Sequence, residues 1–187
     1  MSDADPGTLV LLAAPSCSGK SSLGAGLRDE LGLPWLFWEI DRVAPRLPTS
    51  AIIEPDRVGH LSEAEVHQAL ALQDRLVEAS LRAVGAYLGL GFSVIAELFL
   101  WDRRHLAIAT RVLDRSPLVV ELRCSVEVRE QRERERGTTY LGTARAEARQ
   151  EWVIPADLVL DATRSTPELV REVAEWLARK PEPAWSN

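Results

Sequence analysis

Gly19-Lys20-Ser21 is the part of the chain whose residue types and order most directly imply a chemistry, the handling of phosphate. It closes the run Ala14-Pro15-Ser16-Cys17-Ser18-Gly19-Lys20-Ser21-Ser22, which matches the phosphate-loop pattern except that Ala14 stands where the first glycine is expected. In such a loop the backbone amides and the helix N-terminus face the phosphates, the lysine reaches the β- and γ-phosphates, and the serine hydroxyl ligates Mg2+. Pro15 through Ser22 are therefore the candidate nucleotide-binding residues, Lys20 also acts on the transferring phosphoryl group, and Ser21 is a candidate metal ligand. Of the 22 basic residues only Lys20 and Lys180 are lysines, so lysine here stands out in a chain that otherwise uses arginine. The alternative is a chance Gly-Lys-Ser in an ordinary turn. A positive φ at the position of Ala14 would disfavour alanine.

Further residues have the chemistry to complete a phosphoryl-transfer site. Arg129, Arg132 and Arg136 recur at helical spacing, and Gly137 to Gly142 supplies a turn before Arg145 and Arg149. A kinase needs positive charge that closes over the phosphoryl group and excludes water, which makes Arg132 and Arg136 candidate catalytic residues of a lid at about 132–149. The alternative is a solvated helix in which Glu130, Glu133, Glu135 and Glu147 pair with these arginines. Asp41 is a candidate base that takes the proton of a substrate hydroxyl, or else a helix cap. Glu97 is a candidate holder of a Mg2+-bound water, or else a capping or salt-bridge partner of Arg103 or Arg104. Trp35, Trp38, Phe99, Trp101 and Trp152 offer aromatic surface for an acceptor pocket, with core packing as the alternative. His60, His67 and His105 have no metal-site spacing and read as surface or structural. Cys17 is either a thiol whose pKa is lowered by the helix N-terminus and Lys20 or an inert loop residue.

The elements that must position these groups follow from periodicity. Thr8 to Ala13 is a continuous apolar run, as in a strand buried on both faces, and Leu23, Leu27 and Leu31 follow at helical spacing up to Gly32. Leu36–Asp41, Phe92–Leu98, Leu118–Cys124 and Asp157–Ala162 read as further strands. Ser62-Glu63-Ala64-Glu65 is a capping box opening a long helix to about Leu88, with Val66, Leu70, Val77, Leu81, Val84 and Leu88 as its buried stripe. Further helices are expected from Asp102 to about Arg115, from Val126 to Arg136, and from a Thr166 N-cap with Pro167 to about Arg179; the tail from about 180 reads as frayed. The proline-containing stretch from Val43 to Gly59 reads as an irregular or partly helical segment next to a site. Five alternations of strand and helix call for a parallel sheet covered on both faces. In such sheets ligands bind beyond the carboxyl ends of the strands, where the loop, Asp41, Glu97 and the segment after Cys124 all fall.

Composition narrows the classes. A chain of 187 residues with 46% hydrophobic and 27% charged side chains is one globular domain, and a net charge of -6 disfavours duplex nucleic acid and anionic membrane as partners. No window is long and apolar enough to span a bilayer, and the acidic N-terminus lacks the pattern of a signal peptide, so a cytoplasmic protein is expected. Two cysteines, Cys17 and Cys124, suggest neither a disulfide framework nor a structural metal.

Taken with Leu33-Pro34-Trp35, Ile40-Asp41, the Val94–Leu100 segment, Arg132, Arg136-Gly137 and Leu160-Asp161-Ala162-Thr163, the loop resembles the chloramphenicol phosphotransferase family over about Leu9 to Leu177. The resemblance implies an α/β P-loop kinase of nucleoside- or adenylate-kinase type, with a five-stranded parallel sheet and an arginine-bearing lid. It implies ATP as donor with Mg2+, Asp41 as base, Lys20 and Ser21 on phosphate and metal, Arg132 and Arg136 in the lid, and Asp161 and Thr163 beside the adenine. The family's glycine is Ala14 here, and its acidic pair is Ala96-Glu97. The leading expectation is a kinase of a small-molecule hydroxyl acceptor, an antibiotic of the chloramphenicol type included. A nucleoside or nucleotide kinase and a nucleotide-binding regulatory module are the competing readings. A homodimer is left open.

Overall fold

In a computed structural model the described residues are 7–39, 62–97, 103–113, 116–137, 142–147 and 155–179. Asp41, Phe99, Trp101, Trp152, His60, Arg149 and the tail from 180 lie outside them, as does the stretch from Val43 to Gly59. The elements in chain order are β1 (Leu9–Ala13), α1 (Lys20–Leu31), β2 (Trp35–Glu39), α2 (Glu63–Gly89), β3 (Ser93–Glu97) and α3 (Arg103–Val112). They continue with β4 (Leu118–Arg123), α4 (Val126–Arg136), α5 (Thr143–Glu147), β5 (Leu158–Asp161) and α6 (Thr166–Ala178). All four strand pairings are parallel, in the order β2-β3-β1-β4-β5. This is the expected five-stranded P-loop kinase architecture. The order reverses at β1, so the loop that leaves β1 lies at the switch point where open parallel sheets bind ligands.

β1 is the centre of the core because each of its five residues is buried. Side-chain alternation then divides it. Leu9, Leu11 and Ala13 meet Val77, Leu81, Val84 and Leu88 of α2 and Ile108 and Ala109 of α3, whereas Val10 and Leu12 meet Leu23 and Leu27 of α1 and Leu169, Val170 and Val173 of α6. Each fully buried leucine contributes roughly 1.5–3 kcal/mol. Gly24 lets α1 approach the sheet, since a Cβ there would lie 2.3 Å from the Phe37 ring. The same alternation separates two tryptophans expected to share a rim: Trp35 packs on the α1/α6 face and Trp38 on the α2/α3 face. They do not line one pocket together.

Other expectations are corrected in detail. Val66 and Leu70 are exposed rather than part of the buried stripe of α2. A helix of 27 residues is about 40 Å long against roughly 17 Å for a five-residue strand, so only its C-terminal half rests on the sheet. The capping box is present as expected, with Ser62 accepting from the Glu65 amide and Glu65 accepting from the Ser62 amide. α6 starts one residue earlier than expected in its cap: Ser165, not Thr166, is the N-cap, because Ser165 stands three residues before Glu168, whose carboxylate accepts from its amide and hydroxyl. Phe92 lies outside β3, its amide being used on the Tyr87 carbonyl to close the end of α2. No helix among the described residues is long and apolar enough to cross a membrane.

Candidate active site

The loop between β1 and α1 turns by two left-handed residues, Cys17 at φ 62° and Gly19 at φ 100°. Ala14 is buried and is not among the positive-φ residues, so the feared conflict with alanine does not arise there. α1 opens from Gly19 without a side-chain cap and without an acidic residue in its first turn, which leaves its positive end facing the loop. Lys20 Nζ folds back to donate to the carbonyls of Ala14 at 2.9 Å and Pro15 at 3.1 Å, and lies 3.6 Å from Glu97 Oε1. Ser21 Oγ donates to Glu97 Oε2 at 2.8 Å. Of the readings open for Glu97, the geometry favours the site: its contacts are with Lys20 and Ser21, while Arg104 lies 3.5 Å from Asp74.

These groups suit a nucleotide with its metal. The loop brings an ammonium, a helix N-terminus and a buried Ser18 hydroxyl that has no hydrogen-bond partner among the described residues. Ser21 and Glu97 are oxygen donors, the ligand type Mg2+ prefers, and two such groups suffice for an ion that keeps several waters and takes phosphate oxygens. Among the described residues no group of three His, Cys, Asp or Glu forms a metal cage. His105 is buried, with Nε2 3.4 Å from Asp74 Oδ1, which agrees with a structural role.

The helix α4 meets this loop through side chains. Arg132 spans two backbone carbonyls, donating from Nη1 to Ser18 at 3.2 Å and from Nη2 to Ala162 at 2.6 Å, and thereby ties the phosphate loop to the turn after β5. Arg136 is exposed, and its charge acts on the Cys17 thiol. Arg129, on the same helical stripe, is instead buried, with Nε and Nη1 unpartnered among the described residues. The expected glutamate partners divide: Glu130 pairs with Arg145 at the surface, Glu135 with Gln131, and Glu133 accepts from the amides of Gly142 and Ala144 at 2.9 and 3.1 Å. Glu147 reaches the phosphate loop itself, accepting from the Ser16 amide at 2.5 Å and hydroxyl at 2.8 Å.

Burial first, then Glu133, push the Cys17 thiol above its ordinary pKa, and Glu147 adds to them against Arg136 and Lys20. Of the two readings of Cys17, the shift disfavours the thiolate and agrees with the inert loop residue. Asp161 accepts from the Thr163 amide at 2.9 Å and hydroxyl at 2.7 Å, an arrangement that shapes the β5–α6 turn and holds the Asp161 carboxyl below the usual range. Thus the structure gathers Pro15 through Ser22, Glu97, Arg132, Arg136 and the Asp161–Thr163 turn at one end of the sheet. Sequence reasoning missed the Ser16–Glu147 contact, the role of Glu133 and the Ala162 carbonyl. The last has no side-chain signature, and the first two join residues without informative spacing.

Solved structures share the fold over nearly the whole chain. A sugar kinase from Janibacter superposes with a TM-score of 0.67 at 18% identity, covering 92% of this chain and 95% of the kinase. The APS kinase of Mycobacterium tuberculosis, solved with AMPPNP and APS, superposes with a TM-score of 0.62 at 19% identity, covering 92% and 98%. A protein of Mycobacterium tuberculosis named as a candidate O-phosphotransferase is 32% identical over 200 residues, 97% of this chain and 87% of the relative. The model of the chloramphenicol phosphotransferase-like protein family matches residues 7–180. Since that match runs from β1 through α6, taking in the loop, the β3 carboxylate and Arg132 and Arg136 of α4, the chain belongs to the chloramphenicol phosphotransferase-like protein family.

Proposed function

We propose that this protein is an ATP-dependent, Mg2+-requiring kinase that moves the γ-phosphoryl group of ATP to a hydroxyl of a small molecule, antibiotics of the chloramphenicol type being the first class to test. The observation that carries the reading is the Lys20, Ser21 and Glu97 cluster at the mouth of the loop. Lys20 and the loop amides would bind the β- and γ-phosphates, Ser21 would ligate the metal, and Glu97 would hold one of its waters. The metal, when bound, supplies neutralisation of phosphate charge. The acceptor oxygen forms a bond to the γ-phosphorus while the bond to the β-phosphate oxygen breaks, ADP leaves, and Asp41 takes the hydroxyl proton.

The two lid arginines differ in what they would do. Arg136 is exposed, its charge reaches Cys17 of the loop, and it is the one suited to meet the transferring phosphoryl group. Arg132, anchored at both Nη atoms, would fix the nucleotide end of the site beside the Asp161–Thr163 turn. A bound AMPPNP in the similarly folded APS kinase supports nucleotide binding in this fold. The reading treats residues 1–187 as one cytoplasmic kinase domain with a lid at about 132–149.

The test is mass spectrometry after incubation with MgATP and a panel of chloramphenicol, nucleosides and aminoglycosides. The expected result is one phosphorylated product formed in step with ADP, and a loss of about 100-fold or more in Asp41→Asn, the range for removing a general base. Unchanged turnover in Asp41→Asn would remove Asp41 from the mechanism. ADP without a phosphorylated product from any acceptor would point to an ATPase instead.

A further inference from the structure

Glu147 ends the five-residue helix α5 and contacts a residue 131 positions away in sequence. Its two carboxylate oxygens accept from the backbone N–H and the hydroxyl of Ser16, and the residue is 8% exposed. Both donors belong to the phosphate loop. An ionised carboxylate accepting two hydrogen bonds offers that loop the same chemistry as two phosphate oxygens, an anion with acceptors only. The contact is also supported from behind. Glu133, 4% exposed, accepts from the Gly142 and Ala144 amides and so ties the start of α5 to α4. The charges of Glu147, Glu133, Lys20 and Arg136 all act on the Cys17 thiol, so the Glu147 carboxylate lies in the same electrostatic neighbourhood as the cations of the loop.

We propose that Glu147 is an internal competitor for the phosphate loop: a nucleotide phosphate that takes the Ser16 donors displaces the Glu147 carboxylate, so phosphate binding and the docking of α5 exclude one another at this contact. The inference rests on the reading of the loop as a nucleotide site. Its physical basis is that two anions cannot occupy one pair of donors and that like charges in a poorly solvated place repel. Two consequences follow. Nucleotide affinity lies below what the loop alone would give, and release of α5 from Ser16 is coupled to phosphate arrival, because each state binds only one of the two anions.

The experiment compares dissociation constants of MgATP and of tripolyphosphate for the unmodified protein, Glu147→Gln and Glu147→Ala, with thermal melting to establish that each is folded. Glu147→Gln keeps the shape and one acceptor while removing the charge, so it remains informative where the alanine variant fails to fold. Both probes are expected to bind about five- to tenfold more tightly to Glu147→Gln. Equal or weaker binding to a folded Glu147→Gln would overturn the competition and make Glu147 a structural brace, with the nucleotide reading untouched. Absence of MgATP binding by all three proteins would overturn the nucleotide reading and this inference together.

Discussion

The phosphate loop and the α4–α5 region meet at the same site but are held in opposite ways. The loop is built from its own neighbourhood: Lys20 reaches back five and six residues to Pro15 and Ala14, and Gly19 accepts the first bond of the helix from the Leu23 amide. The α4–α5 region is held at a distance, by Arg132 to a carbonyl 114 residues away and by Glu147 to a residue 131 away. A local structure of this kind is positioned by strand, turn and helix, whatever the rest of the chain does. A structure held by a few long-range polar contacts depends on each of them, and opens when one is exchanged for another partner. Under the proposed function, the difference suits a phosphate cradle that stays in place and a neighbouring segment that phosphate can release from it.

Breaking the long-range set should separate the two regions. The largest effect on stability is expected from Glu133→Ala, which leaves the Gly142 and Ala144 amides without their acceptor, one of them on a buried residue. The cost is about 1–3 kcal/mol by urea unfolding, accompanied by faster hydrogen exchange at Ala144. Unaltered exchange there would mean that α5 is held by packing rather than by Glu133. A smaller and different effect is expected from Arg132→Ala. Loss of its bonds to the Ser18 and Ala162 carbonyls should weaken MgATP binding roughly tenfold, the scale of one charge-assisted hydrogen bond, while leaving binding of tripolyphosphate nearly unchanged. Equal weakening for both probes would place Arg132 on the phosphates instead of at the nucleoside end.

What the sequence disclosed follows the same division. The buried run of β1, the Gly19-Lys20-Ser21 turn and the amphipathic α1 are read from adjacent residues, and so are the capping box of α2 and, one residue displaced, the N-cap of α6. Glu97 was legible as the carboxylate at a strand end, and parallel pairing carries it to Ser21. Periodicity could not foresee that Val66 and Leu70 overhang the sheet, since helical repeat says which face is apolar and not how far its support extends. Nor could it separate Arg129, which is buried, from Arg132, which reaches the loop: both occupy one stripe, and only tertiary packing decides which guanidinium finds carbonyl partners. Glu147 appeared in sequence as a partner for arginines because charge alternation is all that sequence offers. Its actual partners are the amide and hydroxyl of Ser16, 131 residues away, which no local pattern connects to it.

The central claim is that the Lys20–Ser21–Glu97 end of the sheet binds the phosphates of a metal-bound nucleotide. Titration calorimetry of ATP into the unmodified protein and into Lys20→Ala, with and without Mg2+, tests it most directly. Binding should be tight with Mg2+, weaker without it, and reduced by about 10- to 100-fold in a folded Lys20→Ala, in keeping with the loss of charge-assisted hydrogen bonds. ATP binding of equal strength in Lys20→Ala, indifferent to Mg2+, would contradict the account and move the nucleotide away from this loop.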